Sequence, residues 1–159
     1  MNSPGSGPSI SEERAAALAH GPVPVPTSET REFWAATARH ELHMPFCLDC
    51  ERFFFYPRIT CRYCHSDNVT WKQVSGNGTL VSYVINHLPF PEFGSKEPQV
   101  IAIVELDEGV NFLSQIVTDD PRPESFHLGM PLTVTYIERG EITLPFFIAS
   151  DSEGSRKHA

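Results

Sequence analysis

Cys47, Cys50, Cys61 and Cys64 fall within 18 residues of a 159-residue chain that has no other cysteine. They read as Cys47-Leu48-Asp49-Cys50, ten intervening residues, then Cys61-Arg62-Tyr63-Cys64. Two tight turns can each present two thiolates to one ion, and structural zinc is the simplest occupant of four sulfurs. Iron in a rubredoxin-like site suits the same ligands, and free or paired thiols are the metal-free alternative. Such clustering differs from the dispersed disulfides of a secreted domain. Four thiolates leave zinc no open position, so the metal would neither activate water nor polarise a substrate. A module of about 25 residues buries too little core to fold unaided, so the ion would supply much of its folding free energy. Glu51 and His65 follow the second cysteine of each pair, where glycine turns left-handed most easily, which predicts a strained or labile site.

Other chemistry is sparse. There is no G-x-S-x-G, P-loop or G-x-G-x-x-G, and Gly76-Asn77-Gly78 reads as a strand-entry turn. His20 and His158 lie in tails, His40 and His43 flank a helix end, His65 adjoins the cysteines, and His87 and His127 border loops. Surface or local hydrogen bonding accounts for each. His87, which opens a long loop, is the one with most scope for chemistry. No catalytic residue is assigned.

The elements that must hold the cysteines follow from periodicity. Five of the 14 prolines fall in residues 1–26, and Ala15 to Ala19 is too short to hold a helix alone, so 1–28 reads as a flexible tail. Trp34, Ala38 and Leu42 recur at i, i+4, i+8 after the caps Thr27 or Ser28, predicting an amphipathic helix over 29–43. Pro45 stops it. The ribbon occupies 44–72, with Arg52 to Pro57 as one arm of a hairpin. Strands are predicted at Thr79–His87, Gln99–Asp107, Val110–Val117, Leu132–Glu138 and Glu141–Ile148. Five short strands over 73–148 suit a small Greek-key barrel of the OB type, with a split sandwich as fallback. Residues 149–159 read as a second flexible tail. The fold class is therefore mainly β: helix, four-cysteine ribbon, then a five-stranded barrel.

Two apolar features exceed the needs of a free-standing domain. Phe53-Phe54-Phe55-Tyr56 would send two aromatics to each face of a thin ribbon, one face toward helix or barrel and the other toward a partner, unless all are buried. Leu88-Pro89-Phe90-Pro91-Glu92-Phe93-Gly94 is an apolar loop stiffened by prolines, either a contact element or a plug over the barrel mouth. Phe33 and Trp34 are read chiefly as core anchors. Arg58 and Arg122 have the guanidinium chemistry to reach phosphates, though structural or solvated roles compete. Residues 73–148 carry ten carboxylates against three Lys and Arg, which repels a phosphate backbone and argues against a nucleic-acid partner. No apolar run exceeds five residues, and the start lacks a signal-length apolar stretch, so a cytoplasmic protein without a membrane helix is expected.

The series as a whole resembles the acyl-CoA-associated zinc-ribbon and OB-fold family, catalogued as domain of unknown function 35. The resemblance covers roughly 29–148. It is carried by Phe46-Cys47-Leu48-Asp49-Cys50, Tyr56-Pro57-Arg58, the segment Val74 to Tyr83, Val104 to Gly109, and Leu128-Gly129-Met130-Pro131. It implies a non-catalytic subunit that docks on thiolase-fold enzymes, including acyltransferases, 3-hydroxy-3-methylglutaryl-CoA synthase and lipid-transfer-type aldolases of steroid side-chain breakdown. It further implies that the subunit stabilises its partner, helps shape the CoA channel and assembles as a hetero-oligomer, with two-to-two stoichiometry plausible. Direct contact with acyl-CoA stays open. The chain departs from the family pattern in lacking glycines after the cysteine pairs.

Overall fold

The computed structural model describes residues 10–150. Helix α1 is Glu12–Leu18 and α2 is Arg31–Ala38. Strands β1, Leu42–Cys47, β2, Arg52–Phe53, and β3, Val69–Val74, form one antiparallel sheet in the order β2-β1-β3. Strands β4, Asn77–Asn86, β5, Gln99–Leu106, β6, Asn111–Ile116, β7, Pro131–Arg139, and β8, Ile142–Ala149, close a barrel in the order β4-β5-β6-β8-β7. All barrel pairings are antiparallel except β6 with β8. The five predicted strands thus lie where the alternation put them, and the sandwich alternative falls away. Among the described residues, no helix is long and apolar enough to cross a membrane.

Alternation along β5 sends Val100, Ala102, Val104 and Leu106 into the barrel. The two glycines of the 76–78 turn have separate tasks. Gly76 has φ +80°, a left-handed conformation that turns β3 into β4. A Cβ on Gly78 would lie 2.4 Å from the carbonyl oxygen of Glu105, so its absence lets β4 and β5 pair there.

The helix expected over 29–43 ends at Ala38, and Leu42 and His43 belong to β1. The terminator is a Schellman closure: Glu41 donates its N–H to the Ala36 carbonyl at 3.0 Å and His40 to Thr37 at 2.9 Å. His40 takes the left-handed position (φ 58°) and stacks on Tyr136, ring centroids 4.9 Å apart. The N-cap is Thr30, not Thr27 or Ser28, and its hydroxyl accepts from the Thr27 N–H at 2.9 Å. The buried face of α2 is Phe33, Ala36 and Thr37. Leu42 and Met44 of β1 and Val74 of β3 share the core that holds Leu80, Val104 and Phe147, so ribbon sheet and barrel are packed as one body.

Residues 10–28 also differ from expectation. Ser11 caps α1 by accepting the Arg14 N–H at 3.2 Å, and Leu18 packs with Ile137, Leu144 and Phe146. Seven residues do not sustain a helix by themselves, and tertiary anchors supply the difference. Buried Arg139 donates to the Leu18 carbonyl at 2.8 and 3.1 Å and to Pro22 at 3.3 Å. Arg14 pairs with Glu97 and donates to the Pro98 carbonyl at 3.0 Å. The outer parts of both expected tails, 1–9 and 151–159, lie outside the described residues, and His158 with them.

Replacing Arg139 by Ala removes the donors from two carbonyls, a loss of about 1–3 kcal/mol. In hydrogen exchange, amides of residues 12–22 should lose protection in Arg139→Ala while those of 99–106 keep theirs. Unchanged protection over 12–22 would refute the anchoring role.

Candidate metal centre

Strand β1 ends on Cys47, so the first turn starts from a fixed sheet edge. The Leu48 N–H donates to Asn68 O at 2.9 Å and ties the first turn to the segment after the second, which closes on itself as the Cys61 N–H donates to Ser66 O at 2.8 Å. Asp49 laces the two, accepting from the Ser66 hydroxyl and from the Asn68 amide at 3.0 Å. Those hydrogen bonds hold its carboxyl below the usual range.

The four sulfurs lie within 4.8 Å of one another, with Cys47 to Cys64 at 3.5 Å and Cys50 to Cys61 at 3.6 Å. A tetrahedron with zinc–sulfur bonds of about 2.3 Å has edges of about 3.8 Å, so the donor set fits such an ion. A disulfide needs about 2.05 Å, which these pairs do not approach. The sequence's warning about the missing glycines locates the strain: Glu51 (φ 55°) and His65 (φ 62°) both adopt the left-handed conformation. The knuckles close all the same.

Burial pushes the Cys50 thiol up to about 12, reinforced by the neighbouring thiols. For Cys61 burial also pushes upward, but the backbone N–H groups of Cys64 and Tyr63 outweigh it and bring the thiol down to about 7; the Tyr63 N–H stands 3.3 Å from the sulfur. Metal binding must therefore displace thiol protons.

The aromatic run beside the cysteines divides. Phe54 is fully buried against Cys47 and Cys61, which removes it from any docking surface. Phe55 packs edge-on to Phe112 at 4.9 Å and lies 5.8 Å from Phe33, joining ribbon, barrel and α2. Phe53 packs edge-on to Phe46 at 4.8 Å, and Tyr56 is 57% exposed. The hairpin arm expected over Arg52 to Pro57 shrinks to Arg52–Phe53, because the chain turns inward to bury Phe54. In the apolar loop Phe90 is 72% exposed, whereas Phe93 lies under Arg139 at 5.8 Å and helps hold the α1 segment.

Family models extend the comparison. One described as "ChsH2, rubredoxin-like zinc ribbon domain" matches residues 34–70, and one described as "ChsH2, C-terminal OB-fold domain" matches 71–136. A DUF35 domain-containing scaffold protein of Methanothermobacter thermautotrophicus is 38% identical over 104 residues, covering 64% of this chain and 77% of that relative. The chain belongs to the DUF35 family. The alpha subunit of a 3-oxo-4,17-pregnadiene-20-carboxyl-CoA hydratase from Mycobacterium tuberculosis is 33% identical over 116 residues, covering 72% of this chain but 36% of that subunit. The chain spans about a third of the length of the hydratase subunits it matches. Among solved structures, a chain of an "Ltp2-ChsH2(DUF35) aldolase" aligns with TM-score 0.70 at 27% identity, covering 80% of this chain and 98% of that one.

The remaining candidates of this DUF35 protein are scattered. Arg58 is exposed, and Arg122, also exposed, pairs with Asp120, Nε to carboxylate 2.5 Å. His20, His65, His87 and His127 are exposed, and His43 sits between Glu41 at 2.9 Å and Glu32 at 3.8 Å. These distances assemble no nucleophile and base. What the sequence reading passed over is an apolar cleft of about 350 Å³ between α2, the ribbon and the outer barrel, bordered by Trp34, Tyr56, Leu113 and Pro145. Its signal is the unbroken run Val100 to Val104, which puts Ile101 and Ile103 on the outer face of a strand whose inner face is already core.

Relieving the left-handed strain should strengthen the site. Glu51→Gly and His65→Gly should each retain the metal and slow its transfer to a chelator, by about 1 kcal/mol or roughly fivefold per site. Faster release would show that these side chains stabilise the knuckle. Acidification should act the other way, because protonated thiols compete with the ion. With Cys50 protonated throughout, affinity in chelator competition should fall at least about 100-fold from pH 8 to pH 6, and a flat profile would contradict the proton displacement.

Proposed function

We propose that this DUF35 protein is a non-catalytic accessory subunit that docks on and stabilises a thiolase-fold acyl-CoA enzyme. The candidate partners are an acyltransferase, a thiolase or a lipid-transfer-type retro-aldolase, including one of steroid side-chain degradation. The observation that carries the reading is the alignment over 98% of a chain from an aldolase assembly. The closed thiolate site supports it from the chemical side, since an ion held by four sulfurs has no position left for a substrate. That ion is zinc in this reading, and it is structural. Its task is to hold the ribbon on the barrel so that the exposed Tyr56 and Phe90 meet the partner, with Phe53 and Phe55 packed behind them. Arg58, exposed on the ribbon, is the remaining candidate for a CoA phosphate at a shared channel, and Arg122 is the weaker one because of Asp120. The assembly is a hetero-oligomer, two-to-two if the partner is a dimer.

A second reading is favoured by the 33% identity to part of a hydratase alpha subunit: the partner would then be a hydratase. Affinity purification from the native host, with mass spectrometry and metal analysis of the eluate, separates the two. The expected result is a stoichiometric thiolase-fold enzyme and about one zinc per chain. A hydratase in its place selects the second reading. A lone chain that turns over acyl-CoA, with the turnover abolished in His87→Ala, would overturn both.

A further inference from the structure

The barrel closes weakly between β6 and β8. Their ladder consists of one pair, Ile116 with Phe147, supported by the Val117 N–H donating to Phe147 O at 2.8 Å. Beyond that pair the strands are bridged by a side chain, the Ser114 hydroxyl donating to Pro145 O at 2.7 Å, and Pro145 has no N–H to offer. Backbone groups alternate sides along a strand, so Gln115 and Leu113 point their amides the same way as Val117, toward β8. Gln115 and then Leu113 follow on that edge past the last ladder pair, and the Leu113 side chain is 64% exposed. The two diverging strands border the cleft of about 350 Å³.

We propose that this seam accepts an extended, uncharged segment of the partner subunit, added as a strand along the β6 edge. The proposal rests on the accessory-subunit reading above. Two features select the occupant. A strand edge in an apolar cleft needs backbone donors and acceptors opposite it, which a peptide supplies and a hydrocarbon chain does not. None of the residues lining the cleft is charged, although the barrel segment 73–148 carries ten carboxylates against three Lys and Arg. A charged segment would lose hydration there without gaining a partner. An uncharged stretch flanked by cationic residues complements both the cleft and its acidic surroundings. Phe33, Phe55 and Phe112 form the floor on which its inward side chains rest, and their mutual packing means that the cleft needs little rearrangement to receive them.

The test is hydrogen exchange on the complex purified from the host, compared with the free chain. The amides of Leu113 and Gln115 should slow at least about tenfold on assembly. Leu113→Pro removes a donor facing the seam and none facing β5, so it should weaken the complex at least about tenfold with an unchanged unfolding midpoint, while Leu113→Ala should cost under about threefold. A complex in which 111–117 gains no protection, or in which both variants weaken alike, overturns strand addition and leaves the accessory role intact. If no enzyme co-purifies, the accessory role itself fails. The free chain is then titrated with the uncharged peptide acetyl-Thr-Val-Thr-Val-Thr-amide, and no protection at Leu113 overturns the seam as a strand acceptor as well.

Discussion

Four thiols brought within 4.8 Å of one another are the constraint on which the rest of this protein depends. Without an ion they would form a cluster of competing donors, with Cys50 hard to ionise and Cys61 already close to its thiolate. With one, the two knuckles become a rigid base for β1 and for the aromatic run after β2. Phe54 is sealed against Cys47 and Cys61, a burial worth about 2–3 kcal/mol, and this fixes which way the next residue points. Phe55 then meets Phe33 and Phe112, so the state of the sulfur cluster is felt where helix, ribbon and barrel join.

That junction explains why the ribbon and barrel do not act as beads on a string. Leu42, Met44 and Val74 enter the barrel's core from the ribbon sheet, and the β3 to β4 passage is a tight turn at Gly76. A ribbon held in this way is a rigid extension of the barrel surface. Rigidity lowers the ordering cost of any association made through that surface.

Much of this was legible in the chain. The C-x2-C pairs, the five alternating strands and the turn glycines each rest on local rules: ligand valence, the two-residue period of a strand and the φ demands of tight turns. The left-handed residues Glu51 and His65 were legible for the same reason, since a knuckle geometry has few solutions. The helix end was not. Leu42 continues the i, i+4, i+8 series of Trp34 and Ala38 perfectly well, yet a histidine in a left-handed cap, stacked on Tyr136 from a distant strand, stops the helix first. Likewise α1 has weak propensity and few residues, and it exists because Arg139, far along the chain, offers its guanidinium to the Leu18 carbonyl.

The sequence by itself determined the chemistry of the site and the class of fold, because both depend on residue types at short, fixed spacings. Only the tertiary structure decided which exposed aromatics survive as surface, that Arg122 pairs with Asp120, and that β6 and β8 part to open an uncharged cleft. These depend on contacts between residues far apart in the chain, where no periodicity records the partner and small differences in packing choose among several adequate local arrangements.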